Sequence, residues 1–183
     1  MKRMIILVLT PLLLMACQSG TTTNKTQSAD SASSLKDTAK VSEPGTSGSI
    51  VTAYLDLGKS LYLQDQDKII QAANTFAQVL KVQPADNKPS QDQLKDILEN
   101  TTENIQHILD SKDNLIHQRE HYEIISQDVY DYVKLFGTKD TLYKFDCKLD
   151  KKTWIWLSDI TEVQNPYKGM DTEVCGTLTE TLH

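Results

Sequence analysis

LIHQREHYEIISQDVYDYVKLFG, residues 115 to 137, is the stretch whose reading decides the fold. Leu115, Tyr122, Ile125, Val129, Tyr132 and Phe136 recur at steps of three, four and seven. That spacing sets them on one side of an α-helix. Gly137 stands where a helix C-terminal cap belongs.

The same period runs upstream. Ile50, Tyr54, Leu57 and Leu61 form one stripe, and Ile69, Ala73, Phe76 and Leu80 a second, ended by a break from Pro84 to Pro89. Ser90 and Gln93 have the spacing of a capping box for a third helix. Leu94, Ile97, Thr101, Ile105 and Ile108 line its face. Each helix has a single apolar stripe and must bury it against the others, and short connections make sequential helices antiparallel neighbours. The expectation is an up-and-down four-helix bundle.

Downstream of Gly137 the period falls to about two, the repeat of a half-buried strand. Leu142, Phe145 and Trp154 to Leu157 read as short strands, Asn165-Pro166-Tyr167-Lys168-Gly169 as a turn, and Glu173 to Leu178 as a last strand. Trp154, Trp156, Tyr143 and Tyr167 are expected to pack this unit onto the bundle. The fold class is therefore mainly α, a four-helix bundle with a small C-terminal β unit.

The N-terminus reads differently. Lys2 and Arg3 precede an apolar run from Met4 to Met15, and Ala16 and Cys17 follow. A basic front, a short apolar core and a small residue before the break make a secretory signal. The run is about 12 residues, against about 20 needed to span a bilayer. Leu14-Met15-Ala16-Cys17 resembles the lipobox of bacterial lipoproteins. That resemblance implies that residues 1–16 are removed and that Cys17 carries palmitate-class acyl chains. Gln18 after the cysteine implies an outer-membrane lipoprotein facing the periplasm.

Residues 18–49 are rich in Ser and Thr and hold only Leu35 and Val41 as sizeable apolar residues. Such a segment cannot bury enough surface to offset its ordering entropy, so residues 17–49 are expected to be a lipid-anchored, disordered tether. The folded domain is expected over residues 50–183.

The chain has 183 residues with 19 Lys and Arg against 25 Asp and Glu, a net charge of −6. Without residues 1–16 the basic count is 17 and the net charge −8. A chain this acidic repels nucleic acid, so the expected contact is with the membrane, through the lipid. With Cys17 set aside, Cys147 and Cys175 remain, and an even pair in an oxidising compartment defaults to a disulfide. Gly-x-Ser-x-Gly and phosphate-binding glycine patterns are lacking. A Cys147–His121 nucleophile pair lacks the context such a motif requires, and a non-enzymatic protein is expected.

Borderline and soft metal ligands gather in the second half: His107, His117, His121, Cys147, Met170 and Cys175. His117 and His121 are four apart on one helix face, a spacing that can chelate an ion, although the Glu of a His-Glu-x-x-His motif is missing. Two solvated histidines are the plainer reading of that pair.

The order Gln118-Arg119-Glu120-His121-Tyr122, Ser126, Tyr130, Val133-Lys134, Phe136-Gly137, Leu142-Tyr143, Cys147, Trp156-Leu157-Ser158, Asn165-Pro166-Tyr167, Gly169, Cys175-Gly176 and Glu180 resembles a domain of uncharacterised function. That domain occurs in bacterial periplasmic lipoproteins and appended to membrane-fusion adaptors of copper and silver efflux pumps. The resemblance runs from Val51 to Leu182. It implies a soft-metal site for Cu(I) or Zn at His121, Cys147 and Cys175, and an efflux-system component as a partner. The family's Cys-Pro-Met reads Cys147-Lys148-Leu149 here, and Thr172 stands where a second Met is expected. Thioethers select Cu(I) over harder ions, so their loss weakens that implication. The alternative is a structural or partner-binding lipoprotein with a Cys147–Cys175 disulfide, closing a loop of about 28 residues worth roughly 3–4 kcal/mol.

Overall fold

The computed structural model describes residues 49–82, 91–149, 151–170 and 175–183. The expected signal, the lipid-bearing Cys17, residues 18–48 of the tether, the Pro84–Pro89 break and Ser90 lie outside these residues.

Four helices come first: α1 (Ile50–Leu63), α2 (Gln66–Lys81), α3 (Gln91–Asp110) and α4 (Leu115–Phe136). Their ends follow local chemistry. The side chains of Ser49, Asp65 and Asn114 accept the backbone N–H of Thr52, Lys68 and His117, so each occupies an orphan donor of a first turn. Gln64 closes α1 in the left-handed region at φ 57°. Gly137 ends α4 at φ 77°, where a Cβ would be strained, and its N–H reaches the Val133 carbonyl at 2.8 Å. Connections of two residues (64–65) and four (111–114) turn the chain straight back. α1 packs on α2, α2 on α3, α3 on α4 and α4 on α1, which closes the bundle. Among the described residues, no helix is long and apolar enough to cross a membrane.

Most of the predicted stripe positions fill the core, while Leu94 and Ile97 near the start of α3 are only half-buried. Tyr54, Leu57, Leu61, Ile69, Phe76, Ile105, Ile108, Tyr122, Ile125 and Val129 are all buried. Phe136 departs from its expected place and is 39% exposed. It stands on the last turn of α4, with its ring against Tyr132 of the same helix at 5.1 Å and the start of α1 (Ser49, Val51) across a cleft. The last buried residue of α4 is Val133.

Three strands follow: β1 (Leu142–Leu149), β2 (Lys152–Ser158) and β3 (Thr177–Leu182). They form an antiparallel sheet of order β2-β1-β3, with Phe145 opposite Trp156, Cys147 opposite Trp154 and Leu142 opposite Leu182. β2 has the most extensive contact of the strands with α4. β3 starts at Thr177; of the expected strand Glu173 to Leu178, Glu173 and Val174 lie outside the described residues, and Cys175 and Gly176 are not in the strand. Cys175 is still tied to β1, and Gly176 passes so close to Trp156 and Val163 that a Cβ there would meet them at 2.8 and 2.6 Å. Only beyond Gly176 is the chain free to pair along β1.

A buried hydroxyl cluster joins the bundle to the sheet. The Tyr54 hydroxyl, on α1, donates to Ser126 Oγ on α4 at 2.9 Å and accepts the Leu157 N–H of β2 at 3.0 Å. The Tyr167 hydroxyl donates to the Ile155 carbonyl and lies 3.0 Å from the same Ser126 oxygen. Ser126 donates to the Tyr122 carbonyl at 2.8 Å. Replacing Tyr54 by Phe leaves the buried Leu157 N–H without its acceptor. The expected loss is about 1–3 kcal/mol in urea unfolding, more than one ordinary hydrogen bond contributes.

Burial holds the phenols of Tyr54, Tyr122 and Tyr167 protonated above their ordinary range, the last two well above it. The sign of the linkage follows. Below a pH of about 10 the phenols are protonated folded or unfolded; above it the unfolded chain releases protons that the folded one retains. Stability is therefore fully present below about pH 10 and is lost as pH rises beyond it. An alkaline titration read by phenolate absorbance should show a late group of tyrosines that ionises together with unfolding. Smooth ionisation of all seven tyrosines before unfolding would contradict the burial.

Candidate functional site: a histidine cluster and a disulfide

Cys147 lies on β1 and is 1% exposed. Its sulfur is bonded to Cys175, with the two Cα atoms 5.5 Å apart. A metal-binding cysteine must be a thiolate, so neither sulfur is a ligand in this form. His121 makes its contacts elsewhere, with Asn104, His117 and His107 on the α3–α4 side of the bundle. The expected Cu(I) or Zn set of His121, Cys147 and Cys175 is thus not assembled. Among the described residues no three His, Cys, Asp or Glu side chains converge on one ion. Met170 is half exposed on the turn.

The histidines themselves do come together. His117 and His121 stand one turn apart on α4, and α3 brings His107 and Asn104 alongside. The His121 and His107 rings stack at 4.5 Å with an interplanar angle of 3°. His121 Nδ1 lies 2.8 Å from Asn104 Oδ1, and the Asn104 amide nitrogen donates to the Asn100 carbonyl at 2.9 Å. That second bond fixes which end of the amide faces the ring, so Nδ1 of His121 is the donor. His117 Nδ1 lies 3.1 Å from Glu120 Oε2, an acceptor only. The two Nε2 atoms then face each other at 3.1 Å. Glu103 Oε1 stands 3.9 Å from His107 Nε2. Burial first, then repulsion from His107 and His117, lowers the His121 pKa below that of a free imidazole. The ring is therefore neutral, with a free lone pair, over a wider pH range. The four-residue spacing pointed to His117 and His121 in the sequence; Asn104 had no such signal, because its role depends on how α3 and α4 are juxtaposed.

Most of the other residues that carry the family resemblance serve the joint between bundle and sheet. Arg119 Nε donates to the Pro166 carbonyl at 2.8 Å, and its guanidinium also reaches the Leu61 carbonyl at 3.3 Å. Asn165 Oδ1 accepts the N–H groups of Tyr167 and Lys168, which makes the predicted turn, and its amide donates to the Cys175 carbonyl at 2.7 Å. Glu180 of β3 accepts from Tyr130 at 2.8 Å and from Lys134 at 2.9 Å on α4. Turn, disulfide and α4 are in this way one connected framework.

The family model described as a protein of unknown function (DUF3347) matches residues 50–141. The match opens on the first residue of α1 and ends on the residue before β1. No curated protein and no solved structure matches the chain.

Proposed function

The chain belongs to this family of unknown function, and we propose that it is a lipid-anchored protein of the bacterial envelope, held by Cys17. Its disulfide-closed domain would work on the periplasmic side, most simply at the outer membrane, as a non-enzymatic structural or partner-binding module. The observation that carries this reading is the Cys147–Cys175 disulfide. Disulfides persist in oxidising compartments and are rare in the cytosol, and the segment ending in Leu14-Met15-Ala16-Cys17 supplies the route there. Several acyl chains on one cysteine give the multiple membrane signals that stable anchoring needs. Detergent phase partitioning tests the reading. The parent chain should enter the detergent phase, and Cys17→Ser should leave it. Unchanged partitioning of the variant would refute the anchor.

Copper-class metal handling, with an efflux-system component as partner, is the second reading, and His121 with the family resemblance supports it. Cu(I) would need both sulfurs as thiolates, so it could use the Cys147–Cys175 pair only after reduction. Titration with Cu(I) against a competing chelator, before and after reduction, separates the two. Binding that appears on reduction and is lost in Cys147→Ala supports metal handling; equal behaviour of both forms removes it.

A further inference from the structure

The faces of α3 and α4 that meet at His121 hold an arrangement that neither the disulfide nor the membrane anchor uses. Each of the two imidazoles on α4 has one ring nitrogen already committed. Nδ1 of His121 donates to Asn104 Oδ1 at 2.8 Å, and Nδ1 of His117 to the Glu120 carboxylate at 3.1 Å. A neutral imidazole has one N–H, so the remaining nitrogen of each ring carries a lone pair. Those two lone pairs are the Nε2 atoms, 3.1 Å apart. Two lone pairs do not attract. With both Nδ1 atoms committed as donors, a positive centre between the rings, an added proton or a cation, would make the contact favourable.

The geometry suits the cation. Metal–imidazole bonds of about 2.05 Å set two ligands about 2.9 Å apart at a right angle and about 3.3 Å apart at the tetrahedral angle. The observed 3.1 Å lies between these limits. Donation of the outer ring nitrogen to a carboxylate or an amide oxygen is also the usual way a ligating histidine is oriented. Asn104 is 5% exposed and locked by its own bond to the Asn100 carbonyl, so it holds the His121 ring at a fixed angle. Stacking on His107 holds the plane of that ring from the other side. The carboxylates of Glu120 and Glu103 place negative charge around the cluster. The His117 side chain is 43% exposed, which gives an ion a way in and leaves room for water as further ligands.

We propose that His117 and His121 chelate a borderline divalent cation, Zn(II) or Cu(II), through their Nε2 atoms, with Asn104 and Glu120 as positioning residues and water completing the coordination. Imidazole nitrogens suit these ions and not the hard ones. A two-imidazole site with exchangeable water binds reversibly, in keeping with transient holding of an ion.

Zn(II) titration of the full chain with its disulfide intact, against a chromophoric chelator at neutral pH, tests this. One Zn(II) per chain is expected, weakened at least about tenfold by His117→Ala and by His121→Ala separately. Asn104→Leu should also weaken it, and His183→Ala should not. Cys17 is common to all these chains, so a loss confined to the α4 variants assigns the site. Because His117 is half exposed, its variant keeps the test valid even where His121→Ala fails to fold. In imidazole nitrogen NMR spectra, Zn(II) should shift Nε2 and not Nδ1 of both rings. Zn(II) bound equally by His117→Ala, no Zn(II) bound by the parent chain, or a shift of Nδ1 instead would each overturn the proposal.

Discussion

The domain of the Cys147→Ala/Cys175→Ala chain should unfold about 3–4 kcal/mol more easily than the oxidised parent. The bond spans 28 residues, and in the chain-entropy account a loop of that size removes this much freedom from the unfolded state. For a domain of this length the change corresponds to a melting temperature lower by about 10–15 °C. The loss should be local before it is global. Cys175 stands beside Asn165, whose amide holds the Cys175 carbonyl at 2.7 Å, and just before β3, whose Glu180 is tied to α4 through Tyr130 and Lys134. Without the bond, β3 and the turn should exchange their amide hydrogens faster than β1 and β2, while the core of the helices keeps its protection. Reduction of the parent should reproduce the same shift. Oxidised and reduced chains that melt together would show that the bond constrains nothing.

The helices were legible in the sequence because each stripe is local. The spacing of Ile50, Tyr54, Leu57 and Leu61 needs no knowledge of the partner helix to predict burial, and all four are buried. Phe136 shows the limit. Its spacing is right, but its ring lies against Tyr132 of its own helix and stays 39% exposed, and periodicity within one helix says nothing about what packs beside its last turn. The start of β3 is of the same kind, since Gly176 lies against Trp156 and Cys175 is bonded to Cys147, 28 residues back along the chain. At the site, the two cysteines were expected to be neighbours and are. His121 was grouped with them by resemblance, yet its side chain faces α3, and what surrounds it is His107, His117 and Asn104. Residue types and order alone do not say which face of α4 a side chain leaves by; only the packing of α3 on one side and β2 on the other decides that.

Trp156→Ala should cost the most of any single change, about 3–5 kcal/mol in denaturant unfolding. Trp156 is 2% exposed at the centre of the sheet. Its ring stacks on Phe145 across β1 at 5.2 Å and meets Tyr167 edge-on at 6.1 Å. The backbone of Gly176 lies so close that a Cβ there would reach the indole at 2.8 Å. Truncation therefore opens a cavity bounded by two strands, the Asn165–Gly169 turn and the segment leading into β3. Collapse into it is hindered because Asn165, Cys175 and Tyr167 are each fixed by their own bonds. Trp156→Phe separates the packing from the polar part of the side chain. The indole Nε1 is buried with no hydrogen-bond partner among the described residues, so its removal forfeits no hydrogen bond and relieves an unsatisfied donor. The Phe variant should then lose no more than about 1–2 kcal/mol, set by the smaller ring alone. Comparable losses in the two variants would mean that the indole N–H, and not the ring volume, holds the β unit to the bundle.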